Sequence, residues 1–300
     1  MQAPKSGSFL EFIQQSGRDF KRPAAAETLA EWNVRRGQIR EDLARGWGGL
    51  PAPTQPLSVE KLGEFERDGY RVEKLLLETF PGVLMTANAY VPDRPGALPG
   101  VLSVHGHWRL AKQEPVVQSR CIGLAKLGFF VLMVDAMGAG ERGIGKALGE
   151  YHGEMVASTL WPTGLALAGL QVRENMIAVS YMGARKEVDE ARMGVTVCSG
   201  GGNQTMYVGA VDDRLKAVVP VCSVGTYQAY LGAACCQCEV VPAALTTLQE
   251  SDVLSLVAPR GLMLVNATRD AFQFSVAEGK KSLDRARQVF KLYDKESHAK

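Results

Sequence analysis

No apolar run in the 300 residues approaches the roughly 20 consecutive residues that span a bilayer, so the sequence offers no transmembrane segment. The opening Met-Gln-Ala-Pro-Lys-Ser-Gly-Ser lacks an apolar signal core. Nothing in it directs export, and with Met1 as the native start the expected location is cytoplasmic. Neither sign of charge is in excess: 34 Lys and Arg against 32 Asp and Glu leave a net charge of +2. That balance gives no reason to expect nucleic acid or an anionic membrane as a partner. Cysteine is scarce, and six residues (Cys121, Cys198, Cys222, Cys235, Cys236 and Cys238) are too few and too scattered for a disulfide scaffold of this length. Their one cluster, Cys235-Cys236-Gln237-Cys238, lacks the paired ligand spacing of a zinc site. None of the four histidines (His105, His107, His152 and His298) pairs with it. Local packing or a single disulfide is expected there, and no metal or other cofactor. Internal repeats and low-complexity segments are also absent.

What is present is a composition of 46% hydrophobic and 22% charged residues, enough to build one large α/β core. Residues 1–55 read as a helical N-terminal extension and linker, with the clearest helix over Glu27–Arg45 and prolines at 51, 53 and 56. Residues 56–300 read as one α/β domain. Two extended stretches, Gly69–Thr79 and Val83–Val91, open it as antiparallel or mixed strands. Short strands over Val101–Val104, Phe129–Val134, Met193–Val197, Ala217–Val221 and Gly261–Val265 then alternate with helical stretches. One of these helices, Thr163–Ala184, is apolar on most of its surface and is expected to lie sandwiched within the fold. Strands spaced by helices imply a mostly parallel central sheet with helices on both faces.

The most informative residue is Ser199. Met193–Val197 is a β-branched apolar strand, Ser199 follows it, and Gly200, Gly201 and Gly202 lead into a helical stretch, Asn203–Gly209. Strand, sharp turn with serine at its apex, then helix is the setting of a nucleophile elbow. Small neighbours let strand and helix approach closely, and the helix N-terminus turns N–H groups toward a developing oxyanion. The same pattern also fits a glycine-rich phosphate-binding turn.

Other candidates fall at the carboxyl ends of strands, where ligands sit in such sheets. Val101–Val104 ends in His105-Gly106-His107-Trp108, whose His107 backbone N–H, with that of Gly200, would make an oxyanion hole. The His105 side chain is read as bonding its own loop. Phe129–Val134 ends in Asp135-Ala-Met-Gly-Ala-Gly-Glu141-Arg142, a tight loop whose charges are read as structural. Gly261–Val265 ends in Asn266-Ala-Thr-Arg-Asp270, and an Asp past a late strand, in the order Ser then Asp, fits a triad acid. Trp108 and Trp161 are the aromatic candidates for a substrate wall.

These segments, with Ser199-Gly-Gly-Gly-Asn-Gln-Thr205 and Val218-Val-Pro-Val-Cys-Ser223, resemble the α/β-hydrolase fold of the acetyl xylan esterase-like group, related to prolyl oligopeptidase-type serine hydrolases. The resemblance spans roughly residues 70–295 in the family's order. It implies a serine carboxylesterase with Ser199 as nucleophile, Asp270 as acid, and His107 with Gly200 as oxyanion donors. The implied partner is a small-molecule or carbohydrate ester, and no cofactor is called for. Two positions depart from the family pattern. Val197 stands where the elbow usually has glycine. The base histidine should follow a further strand, whereas the only histidine after Asp270 is His298. The expectation is therefore that the chain lacks the last strand and helix and with them the base, the rival being His298 itself. A peptidase-like hydrolase and a catalytically silent binding homologue are the competing functions.

Overall fold

The computed structural model describes residues 9–17, 23–143, 157–233 and 237–300. Its strands are β1 (Ser58–Arg67), β2 (Tyr70–Phe80), β3 (Val83–Pro92), β4 (Leu98–Ser103), β5 (Phe130–Val134), β6 (Val188–Cys198), β7 (Leu215–Val221) and β8 (Gly261–Leu262). They form one mixed sheet in the order β1-β2-β3-β5-β4-β6-β7-β8. β1, β2 and β3 make an antiparallel meander, and β3 also runs antiparallel to β5. From β5 through β4, β6 and β7 to β8 every pairing is parallel. β6, which delivers Ser199, sits in the interior of that parallel half. This is the α/β-hydrolase arrangement expected from the sequence.

β1 was not among the expected strands. It is an edge strand on which only Val59, Leu62 and Phe65 offer apolar bulk, and nearly all of its residues are exposed. Such a strand carries little hydrophobic pattern, and its Glu and Lys side chains discourage further edge pairing.

Helices cover both faces. α1 is Phe9–Gln15, α2 Leu29–Trp47, α3 Pro115–Leu127, α4 Leu167–Gly183, α5 Gly200–Val211, α6 Tyr227–Tyr230, α7 Glu250–Ser255 and α8 Val276–Leu292. α3 closes a small cluster of Val117, Cys121 and Ala125 on Tyr70, Tyr90, Val131 and Met133. The larger core joins β4, β6 and β7 to α2, α4, α5 and α8. α2 starts at an N-cap, the Thr28 hydroxyl accepting from Glu31 N–H, and stops at Gly48 in the left-handed region. Its stripe of Trp32, Ile39, Leu43 and Trp47 is buried in that larger core. The Trp47 indole meets Tyr207 of α5 edge to face at 5.6 Å, tying the N-terminal helix to the helix that follows Ser199. α4 is buried on most sides, as its apolar surface predicts. All twelve residues of α5 are buried.

After α8 the chain returns to the sheet. Ala299 bridges Leu262 in parallel, Lys300 N–H donates to Leu262, and Lys300 C=O accepts from Leu264. Among the described residues, no helix is long and apolar enough to cross a membrane.

Candidate active site

Ser199 joins β6 directly to α5, with φ 64° and ψ −135°. A β-carbon-bearing residue avoids that region unless its surroundings enforce it, and such strain is a mark of functional turns. The enforcing contacts are identifiable. Ser199 N–H donates to Val221 C=O at 2.9 Å, and Ser199 C=O accepts from Gly202 at 2.6 Å and Asn203 at 3.2 Å. The serine is half-buried. As the first helical residue, Gly200 has an N–H with no intrahelical acceptor, beside the positive end of α5.

The three glycines are the first turn of the helix rather than a loop before it, and each is required by space. A Cβ at Gly200 would lie 2.5 Å from His107 Cε1, one at Gly201 1.9 Å from Val197 Cγ1, and one at Gly202 2.2 Å from Ser223 Oγ. Gly106 is equally constrained, its Cβ position lying 2.8 Å from Cys198 O and 3.0 Å from Ser199 Cβ. The backbone of the His105–Trp108 loop therefore passes directly against the elbow. Val197, the departure from the usual elbow, is accommodated because Gly201 leaves room for its γ-methyl.

His105 is fully buried; its Nδ1–H donates to Gly106 C=O at 2.8 Å and its Nε2 accepts from Ala136 N–H at 3.0 Å. Those two bonds suit the neutral ring, and burial lowers its pKa. The ring thus ties the β4 loop to the β5 loop. The β5 loop is itself pinned. Buried Asp135 accepts from Thr86 Oγ1 at 2.7 Å and from Lys112 N–H at 2.9 Å, and pairs with Lys112 Nζ. Arg142 forms a two-pronged bond to buried Glu174 at 2.8 and 2.7 Å.

The side chain that meets the serine is one that the sequence reading used only for its backbone. His107 Nδ1 lies 3.4 Å from Ser199 Oγ, and His107 Nε2 lies 3.6 Å from Cys238 Sγ. Burial, then the neighbouring His105, pushes the His107 pKa down to about 4, so the ring is neutral at neutral pH. A His-Gly-His run following a strand was the available signal. What it lacked was the fold's placement of that loop over Gly200.

Asp270 is exposed on the loop after β8, its Oδ1 accepting from Ala271 N–H at 2.8 Å. It lies near enough to Cys198 for its charge to raise that thiol's pKa. His298 is elsewhere. Its Nδ1 lies 2.9 Å from Pro259 C=O, ahead of β8, at the amino edge of the parallel strands, whereas Ser199 is at the carboxyl edge. The rival expectation, His298 as base, is thereby corrected. The last helix and the turn after it return the chain to the start of β8, so nearness in sequence to Asp270 does not carry over into space. Trp108 and Trp161 are 44% and 43% exposed, available to a ligand rather than consumed by core packing. His152, Cys235 and Cys236 lie outside the described residues, while Cys238 is disulfide-bonded. An apolar cavity of about 350 Å³ is lined by Tyr227, Tyr230, Leu231, Val241 and Leu245, and by Glu239, which follows Cys238 in the chain.

No family model matches the chain. A protein of Bacillus subtilis (strain 168) named as a hydrolase, YtaP, is 30% identical over 259 residues, covering 81% of this chain and 84% of that protein. Among solved structures, a protein of Bacteroides fragilis NCTC 9343 named as an acetyl xylan esterase superposes with a TM-score of 0.77. It is 18% identical, and the match covers 99% of this chain and 83% of that one. A glucuronoyl esterase from Solibacter usitatus gives a TM-score of 0.70 at 16% identity, over 92% of this chain and 86% of that one. At these identities the structural likenesses are likenesses of fold.

Proposed function

The chain belongs to the family of the hydrolase YtaP, on the fold of the acetyl xylan esterase-like α/β-hydrolases, and from that premise we propose that it is a serine carboxylic-ester hydrolase working through an acyl-enzyme. The substrate class we assign is a small-molecule or carbohydrate ester, in keeping with the names of the two structural neighbours. The observation that carries the reading is the conformation of Ser199, held at φ 64° between a central strand and a fully buried helix. A turn that needed only to connect strand to helix would have no reason to keep a serine in that region.

In the proposed reaction Ser199 Oγ attacks the ester carbonyl, and the tetrahedral oxyanion is met by the N–H groups of Gly200 and His107. The alcohol leaves, and water releases the acid from the acyl-serine. Asp270, on the same edge of the sheet, is proposed as the acid that orients and charge-balances an imidazole. The exposed indoles of Trp108 and Trp161 would flank an acyl group or the apolar face of a sugar ring.

A second reading concerns the base. Among the described residues, the imidazole within reach of Ser199 is that of His107, at 3.4 Å. This loose contact is typical of catalytic bonds without substrate, and the ring is neutral at neutral pH and able to accept the serine proton. A Ser199–His107 dyad follows. With a pKa of about 4 the neutral ring is a weak base, so the drive for proton transfer is small and turnover is slow compared with a base poised near neutrality.

The test is covalent labelling with a fluorophosphonate, followed by hydrolysis assays. Labelling of Ser199 in the parent protein and its loss in Ser199→Ala is the expected result. An unlabelled serine would favour the binding homologue. Faster turnover of a dipeptide amide than of an acetyl ester would favour the peptidase-like reading.

A further inference from the structure

Two unbridged thiols lie at the ends of neighbouring strands beside the elbow. Cys198 is the last residue of β6 and immediately precedes Ser199, while Cys222 immediately follows β7. The parallel register pairs Cys198 with Val221, one residue before Cys222. Strand spacing of roughly 4.8 Å and a rise of roughly 3.3 Å put the two Cα atoms roughly 6 Å apart. That is within the range of about 4.4–6.8 Å over which two cysteines reach a common bond. Cys222 has φ 49°, which departs from strand geometry at the point where its side chain leaves the sheet. Its N–H is held by Val265 C=O at 2.7 Å, and Ser199 N–H by Val221 C=O at 2.9 Å, so both cysteines sit on a fixed backbone. Both are half-buried, and therefore reachable.

The Cys222 thiol also acts on Cys198. Burial first, then Cys222 and the charge of Asp270, push Cys198 up to about 11. At neutral pH Cys198 is thus a thiol and a poor target for single-thiol alkylation. The strand order β6, β7, β8 sets Ser199, Cys222 and the Asp270 loop side by side along the carboxyl edge. Cys222 thus lies between the proposed nucleophile and the proposed acid, with Cys198 directly before the nucleophile.

We infer that Cys198 and Cys222 form a dithiol site for a soft, thiophilic, bidentate ligand of the trivalent-arsenical class, and that its occupation blocks Ser199. The blocking half of this inference rests on the reading of Ser199 as nucleophile; the binding half does not. With phenylarsine oxide the step is a condensation. Two S–H bonds and the arsenic–oxygen bonds break, two As–S bonds form, one water leaves, and arsenic stays trivalent.

Phenylarsine oxide is added to the full chain, which is then proteolysed and mapped by mass spectrometry, in parallel with fluorophosphonate labelling. The expected result is one phenylarsenic group linking the Cys198 and Cys222 peptides, with loss of Ser199 labelling. Cys222→Ser should lose the cross-link and keep the labelling in the presence of the arsenical. Iodoacetamide at equal exposure should modify Cys198 slowly. A cross-link between other cysteines, or none, overturns the site, and a cross-link that leaves Ser199 labelling intact overturns the blocking. A cross-link in a protein whose Ser199 is unlabelled even without arsenical sustains the dithiol and overturns the nucleophile instead.

Discussion

Val197 Cγ1 occupies the space that a side chain at Gly201 would need: a Cβ there would lie only 1.9 Å away. Of the two glycines that flank the serine in the usual G-x-S-x-G elbow, the first is replaced here by Val197 and the second, Gly201, is kept. Strand and helix still approach because one of the two positions is empty. Gly201→Ala should cost about 1–3 kcal/mol through overpacking, measured by denaturant unfolding. Adding Val197→Gly should recover only part of that loss, because the same Cβ would also lie 2.7 Å from the His105 backbone. Full recovery in the double variant would show that Val197 alone sets the constraint.

His298 is turned to Pro259 at the opposite edge of the sheet from Ser199. His298→Ala should therefore leave fluorophosphonate labelling and ester turnover unchanged. A loss of several orders of magnitude in kcat with intact folding would place it at the site after all.

The proposed Ser199–His107 dyad predicts an unusual acid limb. An imidazole accepts the serine proton only when neutral, and burial holds the His107 pKa down to about 4 against an ordinary 6.5. Activity is thus retained as pH falls through 6.5 and lost as it falls through about 4. A kcat/KM profile breaking near 6.5 would assign the base to a different, less buried imidazole.

Arg142 and Glu174 pair with side chains 7% and 2% exposed, and Thr79 adds a third bond to the carboxylate at 2.7 Å. Removing the cation leaves that carboxylate buried without its partner. Arg142→Ala should cost about 3–5 kcal/mol, read by urea unfolding. A loss below about 1 kcal/mol would mark the pair as a surface-like contact.

Buried Glu250 has its pKa raised to about 8, by desolvation first, from a usual 4.5. The folded state then holds a proton that the unfolded chain has released. Stability should therefore fall as pH rises between 4.5 and about 8, at no more than about 1.4 kcal/mol per pH unit. Glu250→Gln should flatten that part of a Tm-against-pH curve. An unchanged slope would assign it to other groups.

The sequence by itself determined the parallel half of the sheet and the elbow, because both are local. β-branched runs bounded by glycine specify short buried strands, and a serine between such a run and three glycines specifies a tight turn into a helix. α4 was legible for the same reason, being apolar on most of its surface. β1 was not, because an exposed, charged edge strand owes its existence to Tyr70–Phe80 beside it rather than to its own pattern. The partners of Ser199 belonged to tertiary structure alone. His107 meets it because Gly106 lets the β4 loop pass against the elbow. His298, close to Asp270 in sequence, is carried away by a 17-residue helix. Cys198 and Cys222 become neighbours only through a parallel register that no local pattern encodes. Turns and strands are set by neighbours in the chain, whereas a catalytic contact is set by neighbours in space.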